Sequence, residues 1–281
     1  MENKVKFEKN TFGKRLRSML RVDFRRMFRS LFLYILIASC LVAPILITVM
    51  VEMMEGTVQV DPQTGEPGEP LEGFDSAWQI IGAVSEDSAA QTQPAEGGMA
   101  AMEMDITTMC NINMLYFVIA VLVCIFVAGD FRSGYAKNLF TVRAKKTDYV
   151  ISKTIVCSVG AALMILAFFI GSMIGGAVTS LSFAMDGFNT LNLIMCVLSK
   201  MLLVTVFVPI YLVMSIAAKH RAWLSILLSF MVGMFLFMMI PMLTPLNATP
   251  LNALFCVASG ALFGVGIGAV SNLVLKKTSL V

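Results

Sequence analysis

Charged side chains are scarce in this chain. They make up 14% of its 281 residues, against about 25% in an ordinary soluble domain. Together with a mean hydropathy of +0.82, this excludes a water-soluble globular protein. Histidine is nearly absent. The single His220 stands between Lys219 and Arg221 and reads as part of a solvated basic turn. No metal-binding histidine pair exists, and no Ser/His/Asp triad is available within the membrane. The six cysteines, Cys40, Cys110, Cys124, Cys157, Cys196 and Cys256, contain no Cys-x-x-Cys pair, which removes the usual zinc and thiol-redox patterns. Most lie in apolar runs, where a free thiol behaves as a small hydrophobe. Cys110 and Cys196 both fall toward the outer face, and spacing alone neither makes nor excludes a bond between them. There is no G-x-x-x-x-G-K-[ST] phosphate loop. The one Gly-Lys pair, Gly13–Lys14, is followed by Arg15.

Another absence gives direction. From Glu52 to Met109 there is no lysine or arginine, and there are twelve carboxylates. Six apolar runs approach the roughly 20 residues a membrane span needs: about Leu31–Val51, Cys110–Gly129, Val150–Val178, Met201–Ala218, Trp223–Ile240 and Ala253–Leu275. Threaded through them, twenty of the 21 Lys and Arg residues fall on one side. Basic residues near span ends stay cytoplasmic, so both termini are expected in the cytoplasm and an acidic loop, residues 52–109, outside. The basic side suits an anionic inner leaflet, and nothing resembles a nucleic-acid module. The first apolar run is too long for a signal peptide and lacks a cleavage site, so it is expected to remain as an anchor.

Residues 1–30 form a basic N-terminal region ahead of a six-span body, residues 31–281. Phe12, Leu16, Met19, Leu20, Phe24, Met27, Phe28 and Leu31 recur at steps of three and four, which predicts an amphipathic helix. Arg15, Arg21, Arg25 and Arg29 are among the basic residues on its other face, the pattern of a helix lying in the membrane interface. In the outer loop, Phe74–Val84 reads as a short helix or strand. Met99, Met102, Met104 and Met109 lead toward the second span; an amphipathic approach is the ordinary reading, and a soft-metal site the sharper one. Gly171 and Gly175, and then Gly260, Gly264 and Gly268, stand four apart, the spacing that lets helices approach closely in lipid. Pro44 and Pro209 each remove a helical hydrogen bond and predict kinks. Lys200 is the one basic residue off the cytoplasmic side. Snorkelling to the outer headgroups is its ordinary reading, and a functional intramembrane charge the alternative.

The connection between the second and third spans has the most ordered pattern. It reads Gly-Asp-Phe-Arg-Ser-Gly-Tyr-Ala-Lys-Asn-Leu-Phe from Gly129 to Phe140, then Thr-Val-Arg-Ala-Lys-Lys-Thr-Asp-Tyr-Val-Ile-Ser-Lys from Thr141 to Lys153. This resembles the ABC type-2 permease family, the membrane half of ATP-driven exporters. There an acidic residue closes the second span, Gly follows after three residues, then a Lys-Asn-Leu-like segment, a basic turn, and a Lys opening the third span. Asp130, Gly134, Lys137, Asn138, Leu139, Arg143 and Lys153 occupy those positions, with Asp130 where Glu is usual and Tyr135 where Thr is usual.

The resemblance implies an all-α integral membrane fold. Six transmembrane helices would be accompanied by an N-terminal interfacial helix and a cytoplasmic coupling helix between spans two and three. It implies two cytoplasmic ATPase subunits as partners, a second identical or related permease chain, and residence in a bacterial plasma membrane. ATP and Mg would sit on the partner, with no cofactor on this chain and no catalysis by it. Export of a peptide, antibiotic or lipid-like amphiphile is the implied activity. On this reading Leu139, Phe140 and Val142 give the ATPase an apolar contact, and Lys137, Arg143, Lys145 and Lys146 a charged rim. Asp130 holds the segment's angle by a cap or local ion pair. Lys200 and Pro209 are candidates for the substrate path. Two other classes stay open: an ATP-independent carrier or channel, and a membrane sensor or immunity protein that binds ligand through its outer loop.

Overall fold

A computed structural model of the protein describes residues 11–60, 67–70, 73–82, 111–142, 145–184, 189–219, 221–237 and 239–277. Arg143, His220, Cys110 and the four methionines before the second span lie outside the described residues. The helices are α1 (Phe12–Phe28), α2 (Leu31–Met54), α3 (Leu115–Arg132), α4 (Tyr135–Val142), α5 (Lys146–Val178), α6 (Thr190–Ala218), α7 (Ala222–Phe237), α8 (Met239–Leu243) and α9 (Pro250–Lys277). Two short antiparallel strands, β1 (Val58–Val60) and β2 (Pro67–Pro70), lie in the loop after α2.

Five helices are long and apolar enough to cross a bilayer: α2, α3 with the 3-10 turn before it, α5, α6 and α9. The expected span Trp223–Ile240 is described as α7, of 16 residues, and α8, of five, on either side of residue 238, which lies outside the described residues. Alone, α7 spans ~24 Å of a hydrocarbon core ~30 Å thick.

The centre of the bundle is α6 and α3, with 67% and 61% of their apolar windows buried, while α2 and α9, at 22% and 17%, form its edges. Lipid tails are as apolar as leucine, so helices associate here through close packing and polar contacts. Gly171 and Gly175 of α5 show how. A Cβ on Gly171 would run into the carbonyl of Leu41 and the ring of Pro44, and one on Gly175 would meet Thr48 and the backbone of Ile45. The missing side chains thus admit the proline-containing turn of α2. Thr48 Oγ1 donates back to the Pro44 and Ile45 carbonyls at 3.0 Å. The second glycine series behaves differently. Gly260 faces Thr205 of α6, but Gly264 and Gly268 have nothing within ordinary contact distance.

The two ends of the bundle are distinct. At one end α1 turns into α2 at Arg29–Ser30, a bend fastened by Tyr34 Oη donating to the Phe28 carbonyl at 2.9 Å. Lys146 Nζ donates to the Leu275 carbonyl at 2.7 Å, so the start of α5 and the end of α9 share this end. At the other end, residues 74–81 form turns, neither helix nor strand, and are inserted among the helices. Trp78 Nε1 donates to the Phe183 carbonyl at 2.9 Å, and its ring stacks on Phe169 and meets Phe183 edge-on. The amide of Ala77 bonds Ser182, and the amide of Ile112 bonds the Ile80 carbonyl. Ile80 and Ile81 are fully buried.

The glycine notch gives a direct test. Gly171→Leu should destabilise the purified protein by about 1–3 kcal/mol through overpacking, while Gly264→Leu, which meets open space, should leave it unchanged. Thermal unfolding in one detergent compares the two; equal midpoints would remove the notch from the account.

Candidate functional site

The most concentrated chemistry lies where α1, α3, α4 and α5 meet. At 33 residues, α5 is ~50 Å long, ~20 Å more than the hydrocarbon core. Its first turns therefore overhang the apolar layer, and there it carries Asp148, Ser152 and Lys153. Lys153 is completely buried, with Nζ 2.8 Å from Asp23 Oδ1 and 2.7 Å from Asp130 Oδ2. Ser152 Oγ donates to the other Asp23 oxygen at 2.6 Å, and Tyr149 Oη donates to Asp130 Oδ2 at 3.0 Å. Arg26 Nη1 approaches Asp130 Oδ1 to 2.7 Å, off the axis of a hydrogen bond, as a close ion contact. Farther along α1, Arg15 Nε bonds Asp148 Oδ2 at 2.9 Å; Asp148 also stands in the first turn of α5, where the helix dipole favours a carboxylate.

The result is a charge-balanced cluster, two carboxylates and two cations, roofed by aromatic rings. The Arg26 guanidinium lies 4.0 Å from the Tyr135 ring centroid and Lys153 Nζ 4.1 Å from that of Phe126, within the range of cation–π attraction. Burial works against the charge on Arg26, but Asp130, Tyr135 and Asp23 outweigh it and hold its pKa above the ordinary value. Burial and the charge of Asp23 push the Tyr135 phenol up, against the opposing pull of Lys153 and Arg26.

Three of the residues singled out from sequence meet at this place. Asp130 and Lys153 are ion-paired, and Gly134, with φ +71°, makes the left-handed turn from α3 into α4 that a side chain rarely adopts. The α4 segment is also held to the bundle. Phe140 is half-buried and meets the Tyr149 ring edge-on at 5.4 Å, and Leu139, likewise half-buried, packs on the core. Lys137, Asn138 and Thr141 are exposed. Lys145 is exposed at the N-cap of α5, while Lys146 is tied to α9. Of the arginines placed on the polar face of α1, Arg21, Arg25 and Arg29 are exposed, and Arg15 is half-buried against Asp148.

Asp23 was legible but passed over. It is the sole carboxylate of α1 and sits four residues from both Met19 and Met27, and these three are the buried residues of the helix. A charge inside the apolar stripe was the signal.

Lys200 does not snorkel. It is fully buried, and Nζ donates to Asn113 Oδ1 at 2.8 Å and Thr244 Oγ1 at 2.9 Å. It ties α6 to the turn before α3 and to the end of α8 at the Trp78 end of the bundle. A lysine stem reaches headgroups only when its path is open, and here neutral acceptors meet it first. Pro209 is buried inside an unbroken α6. The cysteines Cys40, Cys124, Cys157, Cys196 and Cys256 are free, and Cys196 Sγ donates to the Thr244 carbonyl. Among the described residues no group of three or more His, Cys, Asp or Glu could hold a metal.

The cluster generates a prediction. Lys153→Met leaves Asp23 and Asp130 without their shared cation and should cost about 3–5 kcal/mol. Adding Asp23→Asn should recover part of that loss, which thermal unfolding of the single and double variants would measure. No curated protein and no solved structure matches the chain. The family model for the ABC-2 family transporter protein matches residues 77–236, a stretch that holds Asp130, Lys153 and Lys200 but not α1. That match covers more than half of the 281 residues, and the chain belongs to the ABC-2 family of transporter proteins.

Proposed function

We propose that the chain is the permease subunit of an ATP-driven exporter, with α4 as the element through which a separate ATPase drives it. The carrying observation is how α4 is mounted. Its inner face is fixed by Phe140 on Tyr149 and by Leu139 on the core. Its origin at Gly134 stands four residues beyond Asp130, itself locked to Lys153 and Arg26. A force applied to its exposed face would pass directly into α3 and α5. Arg132, Lys137 and Lys145 are exposed around it, a polar rim suited to orienting a partner.

In this reading the chain crosses the bilayer six times, with α7 and α8 together making the fifth crossing. Two contacts support that path. Thr244, just past α8, meets Lys200 and so lies at the Trp78 end, whereas Leu275 of α9 meets Lys146 at the end that holds α1. An even number of crossings puts both termini on the basic side, the cytoplasmic side by the distribution of Lys and Arg. Two copies, or this chain and a related one, pair with two ATPase subunits in a bacterial plasma membrane. ATP binding closes the ATPase dimer, and the two α4 segments carry that motion to the spans. The cargo is an amphipathic or hydrophobic compound such as a peptide, antibiotic or lipid-like molecule.

Charge reversal tests the mounting. Lys137→Glu combined with Lys145→Glu should lower co-purification with the ATPase subunit about ten-fold, while the amount of inserted permease stays at the parental level. Undiminished co-purification would sink the role assigned to α4.

A further inference from the structure

A cleft of about 240 Å³ opens beside the charge cluster, between the α1–α2 bend and α3. Arg26 and Ser30 line it together with an apolar set that includes Phe32, Leu122 and Phe126. Arg25 and Arg29 are exposed on the same helix as Arg26. The cleft therefore joins one lining cation, with two more exposed on the same helix, to an apolar lining. It also lies at the α1–α2 bend, where a basic amphipathic helix gives way to a 24-residue apolar one, the level at which headgroups meet acyl chains.

We propose that this cleft binds an anionic phospholipid from the leaflet at the basic end, its phosphate on Arg26 and one acyl chain along Phe32, Leu122 and Phe126. The guanidinium has five N–H donors, and the structure gives it one carboxylate contact, off the axis of a hydrogen bond. It retains donors for a phosphate, which pairs well with arginine. A free phosphate would leave the apolar lining wet; a lipid covers both the cation and the apolar residues. Since Arg26 also contacts Asp130, an occupied cleft shares a cation with the cluster that mounts α4, and the lipid becomes a ligand of that cluster. The inference needs only that the helices span a bilayer. It does not need ATPase coupling, so it fails or stands separately from the exporter reading.

Gly129 offers a clean probe. It lines the cleft, and a Cβ there would meet nothing within 4 Å, so Gly129→Leu adds bulk to the cleft while leaving every ion-pairing side chain in place. The reporter is Phe32→Trp in a Trp223→Phe background, with Trp78 left as a constant signal from the opposite end of the bundle. The protein is reconstituted in phosphatidylcholine vesicles containing increasing fractions of brominated phosphatidylglycerol or, separately, brominated phosphatidylcholine. Quenching should half-saturate at about ten-fold lower mole fraction for phosphatidylglycerol, the worth of one charge-assisted hydrogen bond. Gly129→Leu should abolish that difference, and Arg26→Gln should reduce the phosphatidylglycerol curve to the phosphatidylcholine one. If Arg26→Gln does not fold, the Gly129→Leu comparison decides alone. Equal curves for the two lipids in the parent, or an unchanged preference in Gly129→Leu, would overturn the proposal.

Discussion

One ammonium group organises the basic end of this molecule. Lys153 is shared by Asp23 of α1 and Asp130 of α3, each within 2.8 Å. Burying charge is expensive, and the cost is repaid only when partners and geometry are complete. Here Ser152 and Tyr149 add hydrogen bonds to the two carboxylates, and Arg26 adds a close ion contact to the second oxygen of Asp130. Three helices far apart in sequence are fixed by one cation, and the departure of α4 from Gly134 inherits that fixity. At 33 residues α5 is longer than a bilayer crossing needs, and the cluster sits in its first turns.

The opposite end is held by different means. The buried cation there, Lys200, is met by an amide oxygen and a hydroxyl. Aromatic stacking and backbone hydrogen bonds hold the Trp78 turn between Phe169 and Phe183. The bundle is therefore asymmetric in chemistry as well as in charge. Its basic end is locked by pairs that depend on mutual neutralisation, and its other end by packing and neutral polar contacts. The central helices α3 and α6 run between these two regimes.

Apolar run length announced the spans in the sequence, and the residues that mark the family also marked Asp130, Gly134 and Lys153. What the sequence withheld was pairing over distance. Lys153 and Asp23 are 130 residues apart, and no local periodicity connects them. Asp23 broke the apolar stripe of α1 in plain view, but a stripe interrupted once still reads as amphipathic. Leu139 and Phe140 were legible as apolar without revealing that they also pack on the bundle's own core. Lys200 was read as reaching outward because sequence gives the length of a stem and not the acceptors around it.

The inserted Trp78 turn bears on the order in which the molecule can be made. Trp78 emerges from the ribosome 105 residues before the Phe183 carbonyl that receives its indole N–H. During synthesis, which presents the chain from its N-terminal side, this greasy turn has to wait unpartnered while α3 and α5 are produced and threaded into the lipid. Closure of that end is consequently a late event in biogenesis. A chain halted before residue 183 would carry an unsheltered tryptophan and two isoleucines, a ready hook for chaperones and membrane quality-control proteases.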